Sequence, residues 1–401
     1  MEFNKSKNKN LNLLENPYLV KYSKRVKQAI EYAIERNLLE DYNISPSIIT
    51  HYFNKKQTLP IWIIEATCNI NLKDIKIPAQ YQYLWFCLHN TILIRKQSSG
   101  RLFKTKVNFS PCYIRSDKGI IKLLKQAQKI MNLPMYKFIR LYGIKKTDNK
   151  KTISILALLK ICQILKIKIW NLIKSYELFG KTSRIGKIVI TDNDPNADLL
   201  VLLVWLRTEG HIELSSTHIE INQKDNLNSL KEIEKLFIKL FRLKSSKSTF
   251  PVGKRGEDRL IISSSPLKQL LCLKYDFPLG YKSCSLKPLN LENLSEDDYK
   301  KITAAFIQTE GCLSRHNTRN KKKLLPRFEF IVKDKNLAND CYEVLKKLGF
   351  APKLSNNQNL FKVALYNSNE VIRLVHQTKK YVFDKKKINY LRKICTNGIG
   401  L

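Results

Sequence analysis

Helical stripes of apolar residues and short alternating stretches divide the front of the chain into recognisable elements. Apolar side chains recur on one helical face over Tyr22–Leu39 and Leu123–Met131, and a long apolar helix is predicted over Ile153–Leu165. Between these regions, Thr91–Ile94 and Leu102–Phe109 alternate around Ser98-Ser99-Gly100, which is typical of a β-hairpin. The pattern predicts two helical modules joined by a hairpin.

Each front module has the order of a packing helix, a turn and a short polar-surfaced helix. Ser45-Pro46 supplies an N-cap and a proline at the first helical position, and Pro134 opens a helix that Gly143 ends. Both modules resemble the phage-repressor type of helix-turn-helix domain, and plain helical packing domains are the alternative. The DNA contacts expected from the helix-turn-helix interpretation are Thr50, His51, Lys55, Lys56, Lys145 and Lys146.

The back half contains an internal repeat. Residues 202–210 read LLVWLRTEG and residues 303–311 read TAAFIQTEG, so each apolar helix ends in Thr-Glu-Gly. Each copy continues with two short alternating strands, a helix (Asn226–Leu243 or Asn336–Leu348), another strand and another helix. This order predicts two units of α-β-β-α-β-β-α type.

These residues resemble the LAGLIDADG family of homing endonucleases in its two-motif, single-chain form, over about residues 195–390. The resemblance implies an α+β fold, a pseudo-twofold pair of αββαββα repeats with saddle-shaped antiparallel sheets, preceded by mainly helical helix-turn-helix-like domains. It implies that the motif helices pack side by side and that Glu209 and Glu310 reach divalent metal ions between them. Gly210 and Gly311 would complete the metal site and turn the chain into the first strand, and the sheets would enter the DNA major groove.

The motifs depart from the family pattern at a few positions. Val204 and the bulky Trp205 stand where the family often has small residues for close helix approach, although Ala304 and Ala305 leave room in the second motif. Arg207 and Gln308 replace the motif's earlier acid, a position that varies in the family.

Phosphodiester hydrolysis needs neutralised phosphate charge and an activated water, and carboxylate-bound Mg²⁺ or Mn²⁺ supplies both. A carboxylate is unfavourable at a helix C-terminus because of the helix dipole, so two glutamates there favour a metal site over solvated charges. Basic side chains expected to flank the scissile phosphates are Lys254, Arg255, Arg259 and Lys362.

The charge balance favours a polyanionic partner. The sequence has 72 Lys and Arg against 34 Asp and Glu, a net charge of +38, and residues 196–300 are close to neutral. Double-stranded DNA is therefore the expected partner. The sequence predicts no membrane span and gives no sign of an obligate protein partner. Further expected DNA contacts are Lys224, Lys282, Arg315, Arg319, Lys321, Lys322, Lys323 and Arg327, with solvated loops as the alternative. The run Lys385–Lys387 is equally consistent with phosphate contact and with solvation.

Six segments are predicted. They are a helix-turn-helix-like module (1–76), a hairpin connector (77–118), a second such module (119–179), a linker (180–196) and the two repeats (197–288 and 296–391). Nine scattered cysteines show no zinc spacing and indicate a reducing, cytoplasmic, nucleoid-associated setting. Met1 and the terminal NGIGL favour a free-standing monomer over an intein.

The sequence is consistent with three functions. The first is a site-specific, metal-dependent DNA endonuclease, which retention of both motif glutamates favours. The second is a non-catalytic DNA-binding transcription regulator on the same fold, which the bulky motif helix and the extra front modules favour. The third is an RNA-binding splicing helper.

Overall fold

A computed structural model gives the architecture of the 401-residue chain. It describes residues 18–21, 59–60, 92–96, 102–106, 112–115, 117–141, 152–167, 169–172, 176–180, 188–189, 196–213, 215–224, 227–245, 257–275, 277, 288–317, 324–357, 359–384, 387, 389–390 and 393. The chain divides into two compact units. Unit 1 comprises Met1–Lys187, Glu213–Thr217 and Ser264–Asp276, and unit 2 comprises Ile188–Ile212, His218–Ser263 and Phe277–Leu401.

Unit 1 begins with an antiparallel sheet. Its strands are β1 (Tyr18–Lys21), β2 (Leu59–Pro60), β3 (Ile92–Lys96) and β4 (Leu102–Lys106), in the order β2-β1-β3-β4. Lys96 pairs with Leu102, so the hairpin expected around Ser98–Gly100 is present. The first predicted helix-turn-helix module, with Thr50, His51, Lys55 and Lys56, lies outside the described residues.

The rest of the front region has most of its described residues in helices, as predicted, but it also contains a small sheet that was not expected. It contains β5 (Cys112–Arg115), α1 (Lys118–Ile130), α2 (Met135–Leu141), β6 (Thr152–Ser154), α3 (Ile155–Ile164), α4 (Ile169–Leu172) and β7 (Glu177–Gly180), with sheet order β6-β5-β7. Ile153 was expected in a helix but pairs with Ile114 in the sheet. The helix starts after it because Ser154 Oγ accepts the amide of Ala157 at 3.1 Å.

The first copy of the repeat follows the short strand β8 (Ile188–Val189). It contains α5 (Ala197–Thr208), β9 (Gly210–Ile212), β10 (His218–Lys224), α6 (Leu227–Phe241) and β11 (Glu257–Ser263), with the antiparallel order β11-β10-β9. Gly210 pairs with Ile221, and Arg259 pairs with Asn222. The next helix, α7 (Ser265–Tyr275), belongs to unit 1, where it packs on β5 and β7.

The second copy has a four-stranded sheet, one strand more than is described in the first copy. It contains α8 (Glu296–Gln308), β12 (Gly311–Asn317), β13 (Leu324–Val332), α9 (Lys335–Lys347), β14 (Lys353–Asn357), β15 (Leu360–Leu365) and α10 (Ser368–Thr378), and a 3₁₀ turn follows at Lys379–Tyr381. The strand order is β12-β13-β15-β14, and all pairs are antiparallel. Helices with antiparallel sheets make this an α+β fold.

The core of unit 2 is built around the two motif helices, α5 and α8, which pack against each other. Helix α5 is buried continuously from Leu199 to Arg207, and α8 from Ile302 to Gln308. Val204, Trp205 and Ala305 are each 0% exposed, so the bulky indole is accommodated inside the core. Among the described helices, none has both the length and the apolar character that a membrane crossing requires.

Candidate metal centre at the ends of the motif helices

The two Thr-Glu-Gly sequences end their helices in the same way. Thr208 Oγ1 donates to the carbonyl oxygen of Val204 at 2.9 Å, and Thr309 Oγ1 donates to that of Ala305 at 3.0 Å. Each hydroxyl therefore folds back onto the last turn of its own helix, and the carbonyl of Ala305 accepts the amide of Thr309 as well, at 3.1 Å. The glutamate that follows each threonine leaves the helix, Glu209 as a half-buried C-cap and Glu310 as an exposed turn residue.

Glycine is required after each glutamate by the close approach of the backbone. A Cβ at Gly210 would lie 2.6 Å from both Cα and the carbonyl oxygen of Leu206, and a Cβ at Gly311 would lie 2.6 Å from Cα of Ile307. No side chain fits at such distances, so only glycine allows a strand to start directly against the last helical turn. Gly210 and Gly311 thus orient the glutamates by fixing the turn.

Lys387 carries its ammonium group to the C-terminal end of α8. Its Nζ donates to the carbonyl oxygens of Ile307 at 2.7 Å and Gln308 at 2.8 Å, with longer contacts to those of Thr309 (3.4 Å) and Gly311 (3.3 Å). A cation is favoured there because the carbonyl end of a helix is partly negative. The amino group thereby offsets the unfavourable position of the glutamate carboxylate at the same helix end.

Both motif glutamates act electrostatically on this one ammonium. Burial lowers the pKa of Lys387, and the carboxylates of Asp384, Glu209 and Glu310 oppose that shift. Charges in partly solvated space interact over a limited range, so both carboxylates lie near enough to this ammonium for their charges to act on it. Carboxylate and carbonyl oxygens are the ligands that Mg²⁺ and Mn²⁺ prefer, and the donor set at the motif ends therefore fits such an ion.

Gln308 determines where Lys387 lies. Its Oε1 accepts the amides of Phe383 at 2.5 Å and Asp384 at 3.3 Å, and its Nε2 donates to the carbonyl of Tyr381 at 3.3 Å. Asp384 Oδ1 in turn accepts the amide of Lys387 at 3.2 Å. The buried amide at this motif position therefore holds the segment that places the ammonium beside the glutamates.

Arg207, at the matching position of the first motif, makes a different contact. Its Nη1 lies 3.1 Å from Oδ2 of Asp340 in α9, and Asp340 also accepts the amide of Leu289. Burial raises the pKa of Asp340 to about 6, with the Arg207 charge acting in the opposite direction. Arg207 is thus a brace between the two copies of the repeat and does not extend toward solvent.

Arg259 and Lys362, expected beside the scissile phosphates, occupy matching strand positions. Arg259 pairs with Asn222 and Lys362 with Ile331, in each case two residues beyond a glutamate, Glu220 or Glu329. Lys362 Nζ lies 2.9 Å from Glu329 Oε1, and Arg327 Nη2 lies 2.5 Å from the same oxygen. Hydrogen bonding to Glu329 raises the pKa of Lys362. The described contacts of Lys362 and Arg327 therefore lie on the sheet.

The remaining predicted site residues divide into two groups. Lys224 ends β10, and Arg315 in β12 pairs with Pro326 in β13. The others lie outside the described residues: Lys145, Lys146, Lys254, Arg255, Lys282, Arg319, Lys321, Lys322 and Lys323. Lys387 was not among the site residues expected from sequence, because a run of three lysines gave no reason to prefer contact over solvation.

Comparison with known proteins finds similarity only among solved structures. No family model matches the sequence, and no curated protein matches it. Full-length DUF199/WhiA from Thermatoga maritima is similar at 12% identity and a TM-score of 0.33, over 51% of this chain and 61% of that one. The LAGLIDADG meganuclease I-AabMI bound to uncleaved DNA is similar at 15% identity and a TM-score of 0.34, over 50% and 89%.

The I-LtrWI LAGLIDADG homing endonuclease bound to target DNA is similar at 15% identity and a TM-score of 0.34, over 50% of this chain and 91% of that one. This chain thus matches each of these structures over about half of its length, and the match spans less than two thirds of the full-length WhiA chain.

Proposed function

We propose that unit 2 is a LAGLIDADG-type nuclease fold that binds double-stranded DNA and hydrolyses its phosphodiester bonds with a divalent metal ion. The observation that carries the proposal is the position of Glu209 and Glu310 at the corresponding ends of two packed helices, where both carboxylates act on the charge of one ammonium group. Structural glutamates have no reason to recur at the unfavourable end of both helices. A cation site shared by Glu209 and Glu310 explains why a glutamate is found at the end of both helices.

The chain's own residues would prepare this centre. Thr208 and Thr309 end the helices, and Gly210 and Gly311 fix the turns, so both carboxylates are held in place before DNA binds. Mg²⁺ or Mn²⁺ held by Glu209 and Glu310 would neutralise phosphate charge and make a water nucleophilic. Lys387 would keep a positive charge beside the scissile phosphate.

We further propose that the two copies are related by a pseudo-twofold axis. Gly210 pairs with Ile221 and Gly311 pairs with Phe330, each the residue after the sheet glutamate Glu220 or Glu329. The matching register of Arg259 and Lys362 also supports this relation, because a twofold axis would present one basic side chain to each DNA strand.

A DNA-binding regulator without hydrolysis is the second candidate, and one observation favours it. The positive charge of Lys387 interacts favourably with the carboxylates of both motif glutamates without any metal ion. If that arrangement persists when DNA is bound, the ammonium serves in place of a metal ion and no cation enters. The fold would then serve recognition alone.

Cleavage of a randomised plasmid library with Mg²⁺ or Mn²⁺ tests the nuclease proposal. The wild type should cut a subset of sequences, whereas Glu209→Gln and Glu310→Gln should bind the same DNA and lose cleavage by orders of magnitude. Glu343→Gln, which neutralises an exposed glutamate in α9, is the matched control and should cut normally. Wild-type binding without cleavage under either metal ion would favour the regulator.

A further inference from the structure

Helix α1 in unit 1 presents a straight row of lysines. Lys118, Lys122, Lys125 and Lys129 are all exposed and, at 100° per residue, lie within an arc of about 60°. The opposite face is buried, with Ile120 and Ala127 at 0% exposure. The lysines therefore form a cationic stripe along the side of the helix that faces away from the core.

The stripe lacks the acidic partners that other exposed helices supply. None of the four ammonium groups forms an ion pair with a described carboxylate, and residues 118–141 contain no Asp or Glu. By contrast, Lys235 in α6 pairs with Glu232 at 2.6 Å, and Lys300 in α8 pairs with Glu296 at 2.6 Å. Like charges one helical turn apart destabilise a helix, so the stripe is a surface that an external anion would stabilise.

Further exposed residues follow the helix in sequence. The chain turns at Asn132, which has a φ of 46°, and α2 follows with Tyr136 69% exposed and Lys137 exposed. An exposed aromatic ring and a further lysine within one helix of a lysine row suit nucleic acid better than small anions, because this composition combines charge with a stacking or groove-contacting surface.

We propose that Lys118, Lys122, Lys125 and Lys129 bind the phosphate backbone of duplex DNA, forming a second DNA surface on unit 1. The row extends about 16 Å along the helix, which faces about five phosphates of one strand at 3.4 Å per phosphate. A membrane surface fits less well, because bilayer-binding helices insert a continuous apolar face, whereas Ile120 and Ala127 of α1 are buried in its own unit and its exposed apolar residue, Ile130, lies at the helix end. The inference rests on DNA being the partner of the proposed function.

The salt dependence of binding tests this surface in the full-length chain. The probe is a random-sequence DNA duplex, and the variant is Lys118→Gln with Lys122→Gln, Lys125→Gln and Lys129→Gln. Because each lost phosphate contact reduces the log–log salt slope by about 0.9, the slope should become shallower by about 3 to 4, with binding weakened at least about tenfold. Glutamine has a helix propensity close to that of lysine, so α1 should persist.

A matched variant removes the same charge elsewhere. Lys231→Gln, Lys235→Gln, Lys346→Gln and Lys347→Gln neutralise four exposed lysines of α6 and α9, and the slope should stay within about 1 of the wild type. If circular dichroism shows that the α1 variant misfolds, the pairs Lys118→Gln with Lys125→Gln and Lys122→Gln with Lys129→Gln replace it. Each pair should produce about half of the effect.

The outcomes separate this inference from the nuclease proposal. Equal slope changes in the α1 and matched variants, or an unchanged slope in the α1 variant, would overturn the α1 surface even if the wild type cuts DNA. Loss of binding to phosphatidylserine vesicles with DNA binding retained would assign the stripe to a membrane and overturn it too. If the wild type cuts no DNA but the α1 variant has a reduced salt slope, the α1 surface would be supported and the nuclease proposal would be contradicted.

Discussion

Arg207 and Asp340 form an ion pair inside unit 2, with Nη1 and Oδ2 3.1 Å apart and both side chains at most 5% exposed. The pair links the first motif helix, α5, to α9 of the second copy. Burying a charged side chain costs free energy, and here each charge of the pair offsets the cost of burying the other. Arg207 and Gln308 occupy matching positions of the two motifs. In the first motif Arg207 links the two copies, whereas in the second motif Gln308 holds the segment that leads to Lys387.

Replacing Arg207 with methionine should destabilise the protein strongly. The Asp340 carboxylate would remain buried with the Leu289 amide as its described hydrogen-bond donor, so the free energy of unfolding should fall by about 3–5 kcal/mol. Urea unfolding measures it. Lys231→Met, at an exposed position of α6, should change it by less than about 0.5 kcal/mol. Adding Asp340→Leu to Arg207→Met should recover most of the loss, and no recovery would contradict the brace.

Asp340 should also make stability depend on pH. Because burial raises its pKa in the folded state from 3.8 to about 6, the folded protein holds a proton there that the unfolded chain releases. The stabilising contribution is therefore complete below about pH 4 and is lost as the pH rises through 6. Relative to Asp340→Asn, the wild type should lose roughly 2–3 kcal/mol of unfolding free energy between about pH 4 and pH 7. A relative gain over that range would mean that the Arg207 charge outweighs burial.

Alanine at either motif glycine should be poorly tolerated. A Cβ at Gly210 or Gly311 would meet backbone atoms at 2.6 Å, so the strand must shift, and unfolding should become easier by about 1–3 kcal/mol. Thermal melts of both variants measure this. Gly180→Ala is the control, because its Cβ would lie 3.6 Å from Cβ of Ser265 and should be neutral or slightly stabilising. Wild-type stability in both motif variants would remove the steric reason for glycine.

The elements that could be predicted from sequence are those with a strong apolar period. The helices expected at Asn226–Leu243 and Asn336–Leu348 are observed as Leu227–Phe241 and Lys335–Lys347, because their buried residues recur on one face. Strand β14 had no such signal: all five of its residues are exposed, and it forms because β15 offers an open edge.

Lys387 could not be placed from sequence for a different reason. Its position depends on the hydrogen bond between Gln308 and the amide of Phe383, residues 75 positions apart in the chain. A local pattern contains no information about such a contact. The helix ends at the Thr-Glu-Gly repeat, in contrast, could be predicted from the sequence, because the threonine and glycine contact atoms within one turn of their own helix.

Removing the Lys387 ammonium should expose the competition between lysine and metal ion. Lys387→Met leaves the carbonyl oxygens of Ile307 and Gln308 without this donor and removes a cation that Glu209 and Glu310 share. The variant should therefore melt at a lower temperature than the wild type in a chelating buffer. Mg²⁺ should then stabilise the variant more than the wild type, and at 100 times its dissociation constant for the variant the ion should raise the variant's free energy of unfolding by about 2.7 kcal/mol.

Two controls locate the ion in that experiment. Lys379→Met removes an exposed lysine of the 3₁₀ turn and should leave the Mg²⁺ response at the wild-type level. Adding Glu209→Gln and Glu310→Gln to Lys387→Met should abolish the response, because the amides keep the shape of the site but lose the charge that holds the ion. A response that survives both glutamine substitutions would place the ion elsewhere. A response that appears only when Lys387 is absent would mean that the ammonium occupies the metal position, which is the behaviour expected of a regulator.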